Sequence, residues 1–239
     1  KKKVTTAAAP AVTYYWTPDL MPSCSLWLDA DDASSMTLSG SKISQWSDKS
    51  GNGNHFGQTT DTKQPTYLAA SSYINNKPVV RTSYESSNKQ YLTRSSTTDL
   101  VDASNHHTGF FVLRQSGSHP SVHNHAWWFM MGRTNDTTNG SQYAMWYSNM
   151  AWPADVVQNY YGSGYDLDFP IVALEWTGNA QIVTGRSYSS GTEMRLTGTL
   201  AIRDTSGAGN SNPVINGTGF AIVGDSQQGS NWHIAEYII

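Results

Sequence analysis

From Trp16-Thr17-Pro18 onward the chain alternates short apolar runs with clusters of Ser, Asn, Gly and Asp. The interval, about ten residues, is the spacing of an all-β sandwich or barrel. The runs predict strands at 25–28, 42–46, 79–82, 91–93, 109–114, 126–131, 143–147, 170–176, 181–188, 194–199, 219–224 and 233–239. Several alternate with period two: along 143–147 one set of positions is Tyr143, Met145 and Tyr147, the other Ala144 and Trp146. Helical periodicity is nearly absent, and its best stretch, 95–103, is too short and polar for more than a turn. No internal repeat is visible. Residues 1–20, beginning KKKVTTAAAPAV, are small, polar and Pro-punctuated, which predicts an extended N-terminal arm or linker. Residues 21–239 then form a single domain.

The densest turn signal is QWSDKSGNGN, 45–54. Gly reaches positive φ without steric cost, and Asn and Asp tolerate the left-handed region while bonding their own backbone. Ser50-Gly51-Asn52-Gly53 therefore predicts a tight reversal after a strand ending at Trp46. A second reading is chemical, because Asp48, Asn52 and Asn54 carry the hard oxygens that calcium prefers. The acidic run Asp29, Asp31 and Asp32 lacks the spacing of a helix–loop–helix calcium loop and reads as a strand-terminating turn.

Composition fits this picture. With 239 residues the chain is long enough for one large β domain, and it holds 38% hydrophobic but only 14% charged residues, with 9 Trp, 13 Tyr and 20 Gly. This is the profile of extracellular β structure. A net charge of -3 leaves no basic footprint for a phosphate backbone, which argues against nucleic acid. No apolar run reaches the length of a membrane span, and residues 1–9 lack the apolar centre of a signal peptide. The absence of an initiator Met points to a chain that begins inside, or after processing of, a longer product. The single cysteine, Cys24, cannot form an internal bridge, so core packing, with or without a metal, must hold the fold.

LWLDADD (26–32), KISQWSDKSGNGN (42–54), Gln58, Gln64-Pro65, KPVV (77–80), QYL (90–92), FAIVGDS (220–226) and HIAEYII (233–239) together resemble the concanavalin A-like lectin/glucanase superfamily, in its laminin-G-like branch. The resemblance implies an antiparallel jelly-roll sandwich of two curved sheets, with the first and last strands adjacent and Trp46 buried under the loop. It also implies a calcium site at this corner, made of Asp48, Asn52 and, from the last strand, Glu236. Between about residues 99 and 217 no family motif is found.

That middle holds the strongest candidate chemistry. A sugar offers an apolar C–H face to an aromatic ring and a polar rim to Asn, Asp, Gln and Arg. Trp128, Trp146, Trp152, Tyr161 and Tyr165, with Asn149 and Arg133, supply that mixture and are the expected carbohydrate-binding residues. The competing reading is core or protein interface, although consecutive Trp127 and Trp128 must point to opposite faces of a strand. A hydrolase of this superfamily needs two carboxylates about 5 Å apart. No such pair is spaced in the sequence, since Glu85, Asp166, Asp168, Glu175 and Glu193 stand apart from a partner, so catalysis is not expected. The histidines His106, His107, His119, His123 and His125 have no Cys or carboxylate beside them to complete a zinc site and read as polar loop.

The expectation is a non-catalytic carbohydrate-binding or adhesion domain on an extracellular or virion surface, its partner a glycan or cell-surface polysaccharide. Calcium is the one cofactor considered. The alternative is a structural module of a large assembly, such as a bacteriophage fibre or capsid decoration protein, joined to other surface proteins through the arm. A glycan-degrading enzyme ranks third.

Overall fold

The structure is a computed structural model that describes residues 17–83, 90–94, 100, 107–115, 127–133, 143–148, 156–161, 180–188, 191–197, 199–204, 220–222 and 232–239. The strands among these are β1 (Trp27–Asp29), β2 (Met36–Ser39), β3 (Lys42–Trp46), β4 (Phe56–Gly57), β5 (Thr66–Ser71), β6 (Lys77–Arg81), β7 (Leu92–Arg94), β8 (His107–Gln115), β9 (Trp127–Arg133), β10 (Tyr143–Ser148), β11 (Val156–Tyr161), β12 (Gln181–Tyr188), β13 (Gly191–Leu196), β14 (Thr199–Asp204), β15 (Phe220–Ile222) and β16 (Trp232–Ile238). Short 3₁₀ turns occupy Pro18–Leu20, Ala33–Ser35, Asp61–Lys63 and Ser72–Ile74, and no α-helix occurs among the described residues.

The protein is an all-β antiparallel sandwich whose two halves are hydrogen-bonded into one curled sheet. The first half runs β11-β10-β9-β15-β7-β4-β3, with β2 beside β3, and the second runs β5-β6-β16-β8-β12-β13-β14, with β1 beside β16. They join where Lys42 pairs with Thr66. The first and last strands are neighbours, Trp27 opposite Ile238 and Asp29 opposite Glu236.

Alternation decides what fills the interior. In β8, Gly109, Phe111 and Leu113 are buried while Phe110 is 39% exposed. In β3, Ile43 and Trp46 are both buried although three positions apart, because the register against β2 shifts between Thr37 and Leu38 and leaves Ser44 as an extra residue. Trp46 from the first half meets Tyr237 from the second edge-on, centroids 6.3 Å apart, and Tyr237 meets Phe111 likewise at 5.0 Å. Leu26, Leu28, Phe56, Leu92, Val183, Ile222, Trp232 and Ile234 complete the core around them. Edge-to-face geometry sets the positive ring edge against the negative ring face.

β16 breaks its own alternation. Its register shifts between Ile234 and Glu236, leaving Ala235 as an extra residue whose carbonyl accepts from the Ala30 N–H at 2.9 Å. Such a bulge reverses which face each later residue meets. Trp232, Ile234 and Tyr237 all turn inward as a result, and Glu236 turns outward beside Asp29 and Val112.

Two expected strands, 42–46 and 181–188, keep their bounds, and most others differ by one to three residues. The run expected at 194–199 is divided between β13 and β14 by a hairpin, with Thr197 at φ 46 and its N–H donated to the Ile182 carbonyl. β2, β4, β5 and β11 carry too little apolar alternation to have been expected. The strand expected at 170–176, the short turn at 95–103 apart from Leu100, and residues 1–16 of the arm lie outside the described residues.

Candidate functional site

The loop after β3 is built around one carboxylate. Asp48, 8% exposed, accepts through Oδ1 from the Trp27 and Ser50 N–H groups, both at 2.9 Å. Through Oδ2 it accepts from the Asn54 N–H at 2.9 Å and the Ser50 hydroxyl at 2.8 Å. Asn52 and Asn54 extend the stitching: their side-chain amides donate to the Cys24 and Ser25 carbonyls at 2.8 and 2.7 Å, and Arg94 donates to the Asn54 amide oxygen at 2.6 Å. Gly51 and Gly53, at φ 91 and φ 72, let the chain reverse tightly enough to do this. The loop thus clamps the segment entering β1.

Trp27 links this corner to the last strand. Its backbone N–H goes to Asp48 and its indole N–H donates to Glu236 Oε1 at 2.9 Å. The Lys49 ammonium lies 4.2 Å from the Trp27 ring centroid and pairs with Asp29 at 2.8 Å and Asp32 at 3.0 Å. Burial alone would lower the Lys49 ammonium, but its bonds to Asp29 and Asp32 outweigh that and leave it raised. The Ser34 hydroxyl and Lys49 together hold Asp32 below the usual carboxylate range. Burial holds Glu236 above that range, with the Trp27 bond opposing and the neighbouring Asp29 reinforcing.

The residues expected to hold calcium make hydrogen bonds within the protein. Both Asp48 oxygens accept from N–H and O–H donors, the Asn52 amide donates to protein oxygens, and Trp27 stands between Asp48 and Glu236. The cation at the Asp29–Asp32 turn is the Lys49 ammonium. Among the described residues, no group of three or more His, Cys, Asp or Glu is placed to hold a metal ion. Asp29 and Glu236 form a juxtaposed carboxylate pair that sequence spacing could not show. Asp29 spends its oxygens on the Asp31 N–H and Lys49, and Glu236 spends Oε1 on Trp27.

Of the expected carbohydrate residues, Arg133, Trp128, Trp146 and Tyr161 fall on the neighbouring strands β9, β10 and β11, at one end of the sheet order. Trp128 stands opposite Tyr147, Trp146 opposite Phe129 and Gln158, and Tyr161 opposite Tyr143. Arg133 is opposite Phe220. Trp128 and Trp146 thus occupy register rows of opposite parity. Asn149, Trp152 and Tyr165 lie outside the described residues, as do Glu85, Asp166, Asp168 and Glu175. Glu193 is buried on β13 and pairs with Arg195 at 3.2 Å.

Sequence reasoning passed over another polar cluster, in which Arg81, His233 and Arg114 share one row across β6, β16 and β8. The only trace in the sequence is that Arg114 has the parity of the outward Phe110 and Val112.

Similar folds occur in solved carbohydrate-active and binding proteins. Domain 4 of AbnA, a GH43 extracellular arabinanase from Geobacillus stearothermophilus solved with arabinotriose, superposes with a TM-score of 0.55 at 12% identity over 90% of both chains. A GH54 α-L-arabinofuranosidase soaked with a cyclic sulfate inhibitor gives 0.57 at 15% identity, over 82% of this chain and 47% of that one. The binding domain of Paraclostridial Mosquitocidal Protein 1 gives 0.53 at 12%, over 90% and 48%. No protein-family model matches the chain, and no curated protein sequence matches it. At these identities the likeness is one of fold. No helix among the described residues is long and apolar enough to cross a membrane.

Proposed function

We propose that this chain is a non-catalytic carbohydrate-binding domain of the concanavalin A-like, laminin-G-like kind, displayed on an extracellular or virion surface. The observation that carries the reading is the register of β9, β10 and β11. Aromatic positions occur there in rows of both parities, Trp128 with Tyr147 and Trp146 with Phe129. A sheet in a sandwich has one inner face, so only one of these rows belongs to the core. The other row is a platform on which pyranose or furanose rings can stack. The pairing of β1 with β16 supports the family, and the fold shared with the arabinotriose-bound AbnA domain makes arabino-oligosaccharides a sensible first probe.

The test is a glycan array that includes arabino-oligosaccharides, repeated on Trp128→Ala and Trp146→Ala. One of the two should lose about 2 kcal/mol of binding, about thirtyfold, with its melting temperature nearly unchanged; the other should lose stability. A blank array from folded, monodisperse protein would overturn the reading.

One observation favours the alternative, a structural module of a larger assembly without a glycan ligand. Phe110 and Ile182, 39% and 46% exposed, sit on adjacent strands β8 and β12 among the outward positions of the second half. An apolar pair of this kind suits a protein neighbour. Arm deletion (residues 1–20) that leaves the domain folded but blocks assembly would support this second reading.

A further inference from the structure

The row containing His233 carries a charge arrangement that no carboxylate among the described residues neutralises. Thr66, Arg81, His233 and Arg114 are directly opposed across β5, β6, β16 and β8. Opposed residues of an antiparallel ladder share a face, and strands lie about 4.8 Å apart, so the two arginines flank His233 at roughly 10 Å between backbones. Tyr73, on the 3₁₀ turn Ser72–Ile74, leans over the row. Its ring lies 4.8 Å from that of His233, the Arg114 guanidinium carbon is 4.7 Å from its centroid, and Arg114 Nη1 donates to its carbonyl at 3.1 Å. Ser71 fixes both partners, with its hydroxyl accepting from the Tyr73 N–H at 3.2 Å and bonded to His233 Nδ1 at 2.7 Å.

The imidazole between the arginines is 5% exposed, and burial, with Arg81 and Arg114 beside it, lowers its pKa to about 4, so it is neutral at pH 7. Two permanent guanidinium charges remain. Among the described residues neither has a carboxylate partner; the nearby ion pairs join Lys77 to Asp31 and Lys49 to Asp29 and Asp32 instead. Arg114 Nε is buried without a hydrogen-bond partner, and among the described residues its side chain donates through Nη1. Arg81 is exposed, and the Tyr73 residue is 37% exposed.

Guanidinium forks match the planar geometry of a carboxylate, and an exposed tyrosine ring matches the C–H face of a sugar. We propose that this outer face of the second half binds a carboxylate-bearing sugar, a uronate, with the carboxylate between Arg81 and Arg114 and the ring against Tyr73. Two arginines without a wider basic track suit a single anionic group and not a nucleic-acid backbone. The site lies on strands other than β9, β10 and β11, and it stands or falls independently of the aromatic platform.

The probe is tri-galacturonate, titrated calorimetrically into the full chain, beside its methyl ester, a sulfated neutral trisaccharide and tri-glutamate. The expected result is binding of tri-galacturonate alone, weakened at least tenfold by Arg81→Gln and by Arg114→Gln, with partial retention in Arg114→Lys. Arg81→Gln, at an exposed position, keeps the test independent of folding. Absence of binding to folded protein, binding indifferent to both arginine substitutions, or equal binding of the ester, the sulfated sugar or the peptide would each overturn the proposal.

Discussion

Replacing Asp48 by alanine tests the account of the corner most directly. The substitution removes the acceptor for three backbone N–H groups, those of Trp27, Ser50 and Asn54, and for the Ser50 hydroxyl. Hydrogen bonds to a charged acceptor contribute about 1.5–3 kcal/mol each, and a buried N–H left without a partner costs about 1–3 kcal/mol. The exposed tip at Gly51 to Gly53 admits water to part of the loop, so the sum is discounted to about 3–4 kcal/mol. Against a total stability of about 5–15 kcal/mol this is a large fraction. For a chain of this size it corresponds to a melting temperature lower by about 10 °C. Urea unfolding and calorimetry measure it. Asp48→Asn, which keeps the shape but turns one acceptor into a donor facing N–H groups, should lose about half as much. A loss below about 1 kcal/mol in Asp48→Ala would refute the claim that this carboxylate organises the loop.

The same geometry predicts that EDTA leaves the melting temperature unchanged within about 1 °C; a chelator-induced loss reversed by calcium would show that the metal takes oxygens now assigned to N–H donors. Because the His233 pKa is lowered only in the folded state, the unfolded chain binds more protons between pH 4 and 6.5. Its contribution is therefore full above about pH 6.5 and is lost as pH falls through that window, by up to about 1.4 kcal/mol per pH unit. Melts of His233→Gln should show a flatter pH profile there, and an unchanged profile would contradict the assignment. Gly51→Ala meets no atom within 4 Å but must hold φ 91, so it should cost about 1–2 kcal/mol through backbone strain alone. A neutral result would mean that the loop relaxes to another conformation.

What the sequence determined by itself was whatever nearest neighbours decide. Strand β3 and the reversal after it follow from a short run ending at Trp46 and from Gly51 and Gly53 where positive φ is needed, and the bounds of β12 follow from β-branched residues between turn formers. The all-β sandwich follows from the repeated spacing of such runs. The short strands β2 and β4 were hidden because their residues pair with β3 without an apolar pattern of their own. Only the tertiary structure decided the sites. Alternation through HIAEYII gives Ile234 and Glu236 the same face, and one extra residue at Ala235, held by Ala30 from the other end of the chain, sends Glu236 outward instead. Likewise Arg81, Arg114 and His233 are separated by long stretches of chain and become neighbours only through ladder register. Register is set by pairing between distant segments, and a local pattern of period two cannot tell which distant residue it will face.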